Sequence, residues 1–253
     1  MTASQDKTFI GGFHAVMAAL ERSPRPLSIW LANGRRDGRA ETLRELAAEH
    51  AVPVSSTDMS ALDAMLPDVR HQGCIAVYEL AGELRESDLP GILARAERPW
   101  VLVLDQVQDP HNLGACLRSA AAAGVSAVVA PRKRAAGLTP AVRKVAAGAA
   151  ERVPFVVVTN IARALERLQA EGYWVVGLDG EAPASLYDTT LPDKLVLVAG
   201  GEARGMRERT AHFCDLTVAI PMSSGIESLN VSVATGVALF EARRQRLVVD
   251  GTS

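Results

Sequence analysis

The sequence has little that would support a disulfide framework, a zinc site or a membrane span. Its three cysteines among 253 residues are widely spaced, and none forms a Cys-x2-Cys pair, so neither a disulfide scaffold nor a zinc site is indicated. The first residues are polar, and the longest apolar runs are about as long as a β-strand, which predicts neither a signal peptide nor a membrane helix. We therefore expect a cytoplasmic protein without a bound metal.

Aromatic residues are also scarce, and the overall charge is nearly balanced. Because only 4% of residues are aromatic, any base stacking on RNA must rely on few rings or on arginine planes. The net charge of -2 lacks the basic excess typical of phosphate-binding proteins. Residues 131–152 differ, with six basic residues against one acidic residue. This segment is either a phosphate-binding surface or a solvated one, and its basic residues are Arg132, Lys133, Arg134, Arg143, Lys144 and Arg152.

The first 80 residues alternate short helical and strand patterns, which predicts a small α/β domain. We expect helices at residues 13–21, 40–50 and 60–66, and strands at 27–31, 52–55 and 74–79. The pair Gly11-Gly12 is interpreted as a turn before the first helix, since no strand is recognisable ahead of it. Residues 81–98 are richer in charge and contain Pro90-Gly91, which indicates a linker with one helical turn.

The remaining residues, 99–253, predict a larger α/β domain. Apolar strands recur at 100–104, 125–130, 153–158, 174–178, 195–199 and 216–220, with helices at 112–123, 139–150, 160–171 and 230–246. This alternation is typical of a parallel sheet buried on both faces. A Gly-x-Gly-x-x-Gly loop is missing after the first strand, so an ordinary dinucleotide-binding fold is not predicted.

Three polar segments of this domain carry a specific pattern. They read Asp105-x3-Asp109-Pro-His-Asn112-x-Gly114-x3-Arg118, Leu197-Val-Ala-Gly200-Gly-Glu202-Ala-Arg-Gly205 and Ile220-Pro-Met-x5-Ser228-Leu-Asn230. In residue pattern and in order along the chain, they resemble the three motifs of the SpoU/TrmH family of RNA ribose 2'-O-methyltransferases. The additional amino-terminal domain makes the chain most similar to those members that methylate guanosine in 23S ribosomal RNA.

This resemblance implies a fold and a cofactor. The parallel sheet of residues 99–253 would end in a deep trefoil knot of the SPOUT type, and residues 1–80 would resemble the RNA-binding modules of ribosomal proteins. S-adenosylmethionine would be bound by Gly200, Ile220 and Leu229. Two copies of the chain would form a homodimer.

The resemblance also assigns roles around the reacting hydroxyl. In this family pattern Arg118 acts at the reacting hydroxyl. The residues that position substrate or cofactor around it are Asn112, Glu202, Ser228 and Asn230. A guanidinium has no lone pair with which to act as a base at neutral pH. We therefore interpret Arg118 as a charge that binds phosphate and stabilises the developing alkoxide, with proton loss to Glu202 or to water.

The first motif also contains potential nucleophiles, and the last helix has a row of small residues. Methyl transfer from a sulfonium needs no enzyme nucleophile, so His111, Cys116 and Ser119 are interpreted as packing residues of the first motif. Ser228, Ser232 and Gly236 give the last helix a small face, which predicts close packing on a sheet or on a second subunit.

The sequence also leaves other functions open. A transfer RNA ribose methyltransferase would use the same chemistry, and a non-catalytic RNA-binding protein for ribosome assembly could share the fold. The intact set of motif residues disfavours the second. A dehydrogenase or hydrolase is disfavoured by the missing glycine-rich loop.

Overall fold

The computed structural model describes residues 7–21, 25–35, 37–67, 69–79, 81–201, 205–223 and 228–250. The chain divides into two compact units, Met1–Ala81 and Gly82–Ser253. Each unit has its own buried apolar core.

The first unit is a four-stranded sheet with helices, one strand more than the sequence predicts. The strand order is β1-β4-β2-β3, in which β4 pairs antiparallel with β1 and β2, and β2 pairs parallel with β3. The elements are β1 (Lys7–Gly11), α1 (Phe13–Leu20), β2 (Ser28–Ala32), α2 (Gly38–Glu49), β3 (Val54–Thr57), α3 (Met59–Met65) and β4 (Cys74–Glu79). The α/β class of this unit is confirmed.

The prediction that no strand precedes Gly11-Gly12 is wrong. Strand β1 ends at Gly11, which lies opposite Ile75 of β4. The strand continues into a hydrogen bond of 2.9 Å from the Gly12 amide to the Cys74 carbonyl. It is a short edge strand that includes Lys7 and Thr8, so its pairing with β4 stabilises it more than its own apolar content does.

The second unit contains an eight-stranded sheet with the order β10-β12-β9-β11-β6-β7-β8-β5. Every pairing in it is parallel. Its elements are β5 (Leu84–Arg85), α4 (Leu89–Leu93), β6 (Val101–Asp105), α5 (Pro110–Ala123), β7 (Ala127–Pro131), α6 (Pro140–Ala146), β8 (Phe155–Val158), α7 (Ile161–Ala170), β9 (Trp174–Leu178), β10 (Ala184–Ser185), β11 (Leu195–Gly200), α8 (Glu208–Ala211), β12 (Leu216–Ala219) and α9 (Val231–Asp250), with 3-10 turns at Glu86–Asp88, Ala149–Glu151 and Leu186–Asp188. Both faces of the central strands are buried, so the predicted parallel sheet is confirmed.

Two predictions along this unit need correction. The linker expected at residues 81–98 is not a free segment, because β5 adds an edge strand beside β8 and the side chains of Leu89 and Leu93 are buried in the core. The helix expected at residues 139–150 ends at Ala146. The next two residues, Ala147 and Gly148, adopt left-handed backbone conformations, which terminate a helix.

The strand order brings the motif segments together at one edge of the sheet. Asp105, the last residue of β6, lies opposite Gly200, the last residue of β11. Strand β12 lies between β9 and β10, so its carboxyl end is two strands away from that of β11. The ends of parallel strands form the usual ligand-binding edge of such a sheet. The trefoil knot implied by the family resemblance stays a prediction.

Candidate active site

A cavity of about 520 Å³ lies at this edge of the sheet. It is formed by the ends of β9, β11 and β12, by the segments that follow them, and by the start of α9. Its lining residues are Leu178, Asp179, Gly180, Glu181, Ala199, Gly200, Gly201, Gly205, Val218, Ile220, Met222, Ser228, Leu229, Val231 and Ala234.

Glycines shape one wall of the cavity. The amide of Gly201 donates to the carbonyl of Gly205 at 3.1 Å, and the amide of Gly205 donates back to the carbonyl of Gly201 at 3.0 Å. A Cβ atom on Gly200 would lie 2.1 Å from the backbone nitrogen of Met206, a distance that no side chain can occupy. Glycine is therefore required where the chain doubles back on itself after β11.

An ion pair between Asp105 and Arg207, whose side chain is 38% exposed, fixes the residue that follows this turn. The carboxylate of Asp105 is fully buried, and its Oδ1 accepts hydrogen bonds from Nε and Nη2 of Arg207 at 2.8 and 2.6 Å. Its Oδ2 accepts from the backbone amide of Arg207 at 3.0 Å. These contacts, which we call the Asp105–Arg207 clamp, join the end of β6 to the chain leaving the glycine turn. Sequence reasoning missed the clamp, although Asp105 opens the first motif at the end of an apolar strand.

Two asparagines from different motifs contact each other. Nδ2 of Asn230 donates to Oδ1 of Asn112 at 3.0 Å. Oδ1 of Asn230 accepts from the backbone amide of Ser232 at 2.9 Å and from its hydroxyl at 2.6 Å. Asn230 therefore satisfies a free amide at the start of α9 while it holds α9 to the buried Asn112 of α5.

The structure places the predicted site residues in three different situations. Gly200, Ile220 and Leu229, predicted to bind the cofactor, all line the cavity, and so does Ser228. Asn112 and Asn230 bond to each other beside it. The exposed Arg118 of α5 does not line it, and it forms no hydrogen bond or ion pair with any residue that the structure describes. Glu202 lies outside the described residues.

Two acidic residues of the cavity were not predicted. Asp179 and Glu181 follow β9 directly, and both side chains are exposed. One carboxylate oxygen of Asp179 accepts from the amide of Glu181 at 3.0 Å, which leaves most of the acceptor capacity of both carboxylates free for a ligand. Their position after a buried strand was a usable signal, but no motif marked them.

The cysteines do not supply a nucleophile here. Cys116 is fully buried in α5. Burial raises the pKa of the Cys214 thiol to about 12, and the negative charge of Asp215 adds to the effect, so this thiol stays protonated at neutral pH. Within the described ranges, no cluster of His, Cys, Asp and Glu side chains could hold a metal ion, and no helix has the length and apolar character needed to cross a bilayer.

Comparison with known protein families decides the identity of this fold. The sequence model of the SpoU rRNA Methylase family matches residues 99–240, more than half of the chain. The chain belongs to the SpoU rRNA Methylase family. A second family model, described as RNA 2'-O ribose methyltransferase substrate binding, matches residues 9–82.

Individual relatives of this SpoU family member are similar to it in sequence over nearly the whole chain. It is 52% identical over 241 residues to the 23S rRNA (guanosine-2'-O-)-methyltransferase RlmB of Pseudomonas putida, covering 94% of this chain and 97% of the relative. The RlmB of Escherichia coli is 47% identical over 238 residues, covering 94% and 98%. Among solved structures, a putative RNA methyltransferase of the TrmH family from Porphyromonas gingivalis has 27% identity and a TM-score of 0.66, covering 94% of this chain and 90% of that chain.

A fold likeness extends to a complex with the cofactor. The SpoU methyltransferase AviRb of Streptomyces viridochromogenes, solved with AdoMet, has a TM-score of 0.68 at 22% identity and covers 96% of this chain and 91% of its own. At that identity the likeness concerns the fold alone.

Proposed function

We propose that this SpoU family member transfers a methyl group from S-adenosylmethionine to the ribose 2'-hydroxyl of a guanosine in 23S ribosomal RNA. The observation that carries the proposal is the meeting of Gly200, Ile220 and Leu229 in one cavity. These residues come from two separate motifs, the second and the third. Relatives named for this reaction, at 47 to 52% identity, support the choice of substrate.

The cavity suits S-adenosylmethionine in size and in chemistry. Its volume of about 520 Å³ is in the range of about 300 to 1,000 Å³ found for small-molecule sites. Leu178, Val218 and Ile220 offer apolar surface for an adenine ring, and the carboxylates of Asp179 and Glu181 can accept hydrogen bonds from ribose hydroxyls or an amino group. When bound, the cofactor supplies an electrophilic methyl group on a sulfonium.

We assign roles to the motif residues as the family resemblance implies. Arg118 stays charged, binds a phosphate beside the target ribose, and stabilises the alkoxide that develops at the 2'-oxygen. The hydrogen bond between Asn112 and Asn230 keeps α5 and the start of α9 in register, while Ser228 lies at the cavity where the two reactants meet. Glu202 or water accepts the proton.

A second copy of the chain completes the site in this proposal. Val233, Phe240 and Leu247 of α9 are each about half exposed, and their spacing of seven residues puts them on one side of the helix. Such an exposed apolar stripe is typical of a protein interface. A homodimer through α9 fits the location of Arg118 outside the cavity of its own subunit.

Part of the small face of α9 is used within the chain. A Cβ atom on Gly236 would lie at an ordinary contact distance, 3.5 Å, from the hydroxyl oxygen of Ser119 in α5, so this position of α9 faces α5 of the same chain. The apolar stripe therefore supports the homodimer better than the small residues do.

The division of labour between the two parts of the chain follows the predicted domains. We assign RNA selection to residues 1–80 and catalysis to residues 99–253, and the substrate-binding family model over residues 9–82 supports this assignment. Because the substrate is ribosomal RNA, we place the enzyme in the cytoplasm.

The decisive experiment compares two RNA substrates. The purified protein should transfer a labelled methyl group from S-adenosylmethionine to a 23S ribosomal RNA transcript, and mass spectrometry should locate it on a guanosine ribose. A transcript with 2'-deoxyguanosine at that position should bind equally well but accept no methyl group, because only the hydroxyl is removed. Methylation of the deoxy substrate would show that the acceptor is a base atom and would overturn the proposal.

A further inference from the structure

Three consecutive basic residues lie at the carboxyl end of β7. Arg132, Lys133 and Arg134, which we call the basic loop, are all exposed. Among the residues that the structure describes, none of these three side chains forms an ion pair or a hydrogen bond. Three neighbouring cations without acidic partners repel each other, and they are available to an external polyanion.

The other basic residues of segment 131–152 are placed differently. Nη1 of Arg143 lies 2.6 Å from Oε1 of Glu151, and both side chains are largely buried, so this charge is neutralised within the fold. Arg152 is exposed but precedes β8, at the opposite edge of the sheet from the cavity. The charge excess seen in the sequence therefore separates into the basic loop on the cavity edge, the paired Arg143, the remote Arg152, and Lys144, which is exposed on α6.

The basic loop is anchored beside the first motif. The amide of Ala136 donates to the carbonyl of Val107 at 3.0 Å, and the amide of Arg132 donates to the carbonyl of Val158 at 2.9 Å. The amide of Leu138 donates to Oε1 of Glu83 at 3.0 Å. Val107 belongs to the short segment between β6 and α5, and α5 carries Asn112 and Arg118. The loop is thus held at a fixed place beside the segment that leads into α5.

The backbone of the basic loop has an unusual conformation at Arg134. Arg134 has a φ of 60°, which is a left-handed backbone conformation that is unfavourable for a residue with a Cβ atom. Strain of this kind persists where the surrounding structure imposes it, and it concentrates at functional sites. The hydrogen bonds of Arg132 and Ala136 hold the backbone on either side of Arg134.

We propose that the basic loop binds the phosphates of the RNA strand next to the target nucleotide. This inference rests on the proposed function and extends it, because it names the surface of the catalytic unit that receives the substrate backbone. Arg132 and Lys133 contact phosphates and carry no sequence information, whereas selection of the site is left to other contacts. Because the basic loop binds RNA through electrostatic contacts with phosphates, this binding does not need the aromatic side chains that the chain largely lacks.

Two double variants with the same change in charge test the proposal. Arg132→Ala with Lys133→Ala removes two charges from the basic loop. Arg95→Ala with Arg152→Ala removes two exposed charges that precede β6 and β8, at the opposite edge of the sheet. Arg134 is left in place because its backbone conformation would complicate any substitution. Thermal unfolding and the Kd for S-adenosylmethionine report whether each variant is folded with an intact cavity.

The readouts are RNA binding and methyl transfer across a range of salt concentrations, with a 23S ribosomal RNA transcript as the probe. We expect the loop variant to bind RNA about tenfold or more weakly at moderate salt, with the slope of log K against log salt reduced by about 1.4 to 1.8. Its kcat/KM for RNA should fall in parallel, and its cofactor Kd should not change. The opposite-edge variant should resemble the wild type.

Two results would overturn the inference. One is an equal loss of RNA affinity in both double variants, which would show that only net charge matters. The other is a loop variant with wild-type RNA binding and an unchanged salt slope. Failure of the proposed function has a different signature, because the wild-type protein would then bind the transcript without methylating it, and the binding comparison would still decide the role of the basic loop.

Discussion

At the scale of single residues, Arg118 is the side chain whose position most directly links the fold to the chemistry. Its side chain is exposed on α5 and has no ion-pair or hydrogen-bond partner within the described residues, so it is free to contact a phosphate of the RNA. We expect Arg118→Ala to lower turnover by about a hundredfold or more, since a preorganised charge at a developing oxyanion contributes ~3 to 4 kcal/mol. Single-turnover methyl transfer measures the loss.

The control for this substitution is Arg163→Ala, which removes an exposed arginine from the first turn of α7. Both variants should bind S-adenosylmethionine as the wild type does, because the cavity is lined by other residues. A raised cofactor Kd in the Arg118 variant alone would contradict the assignment.

Thr235 gives a second prediction at this scale. Its side chain is fully buried in α9, and its hydroxyl oxygen has no hydrogen-bond partner among the described residues. Burying an unsatisfied hydroxyl is unfavourable, so the near-isosteric Thr235→Val should raise the free energy of unfolding by about 1 kcal/mol. Urea denaturation measures the change, with Thr42→Val as control, because the Thr42 hydroxyl donates to the Gly38 carbonyl at 2.9 Å and is exposed. Destabilisation by Thr235→Val would reveal a partner for this hydroxyl.

The site residues that sequence could predict are those within recognisable motifs. Gly200, Ile220 and Leu229 were assigned together by family resemblance, and the fold brings them to one cavity. The Asp105–Arg207 clamp could not be found in this way, because its partners are 102 residues apart and only the pairing of β6 with β11 makes them neighbours. Local sequence patterns cannot predict a contact between residues that are so far apart in the chain.

At the scale of elements, the Asp105–Arg207 clamp predicts how the glycine turn is held to the sheet. Asp105→Asn keeps the shape of the side chain but removes the charge that Arg207 contacts. Because the Arg207 side chain is 38% exposed, solvent screens part of the pair, and the loss of hydrogen bonds to a charged group costs about 1.5 to 3 kcal/mol. We expect a loss of stability of that size and a cofactor Kd raised about tenfold, because the cavity wall beyond Gly205 loses its anchor. Isothermal calorimetry and urea denaturation provide the two measurements.

A surface ion pair offers the matched control. Asp193 contacts Arg98, and the Asp193 side chain is 69% exposed, so Asp193→Asn should cost less than about 1 kcal/mol and leave the cofactor Kd unchanged. If Asp105→Asn proves equally mild, the clamp does not hold the cavity.

Elements were predictable where the chain alone determines them. The six apolar strands from residue 100 onward and helices α5 and α7 appear within a few residues of their predicted limits. The short strands β1, β5 and β10 were missed, because two to five residues without a marked pattern become strands only by pairing with a longer neighbour.

At the scale of the whole molecule, the apolar stripe on α9 predicts self-association. Phe240→Glu places a charge at the centre of this stripe, and a buried unpaired charge in an interface costs several kcal/mol. The wild-type chain should therefore sediment as a dimer at micromolar concentration, and the variant should sediment as a monomer with little methyl transfer. Met59→Glu, which changes a similarly exposed apolar residue of the first unit, should remain dimeric. A monomeric and fully active wild type would refute the homodimer.

The pairing of β6 with β11 has a consequence for the synthesis of this protein. Strand β6 gains its neighbour β7 soon after it leaves the ribosome, but its other edge stays open until the chain has grown by roughly the 95 residues that separate Asp105 from its partner Gly200 in β11. At translation rates of about 5 to 20 residues per second, this interval lasts on the order of 5 to 20 seconds. During it, a central apolar strand offers unpaired backbone groups to chaperones and to other nascent chains. The enzyme is therefore most vulnerable to aggregation while it is being made.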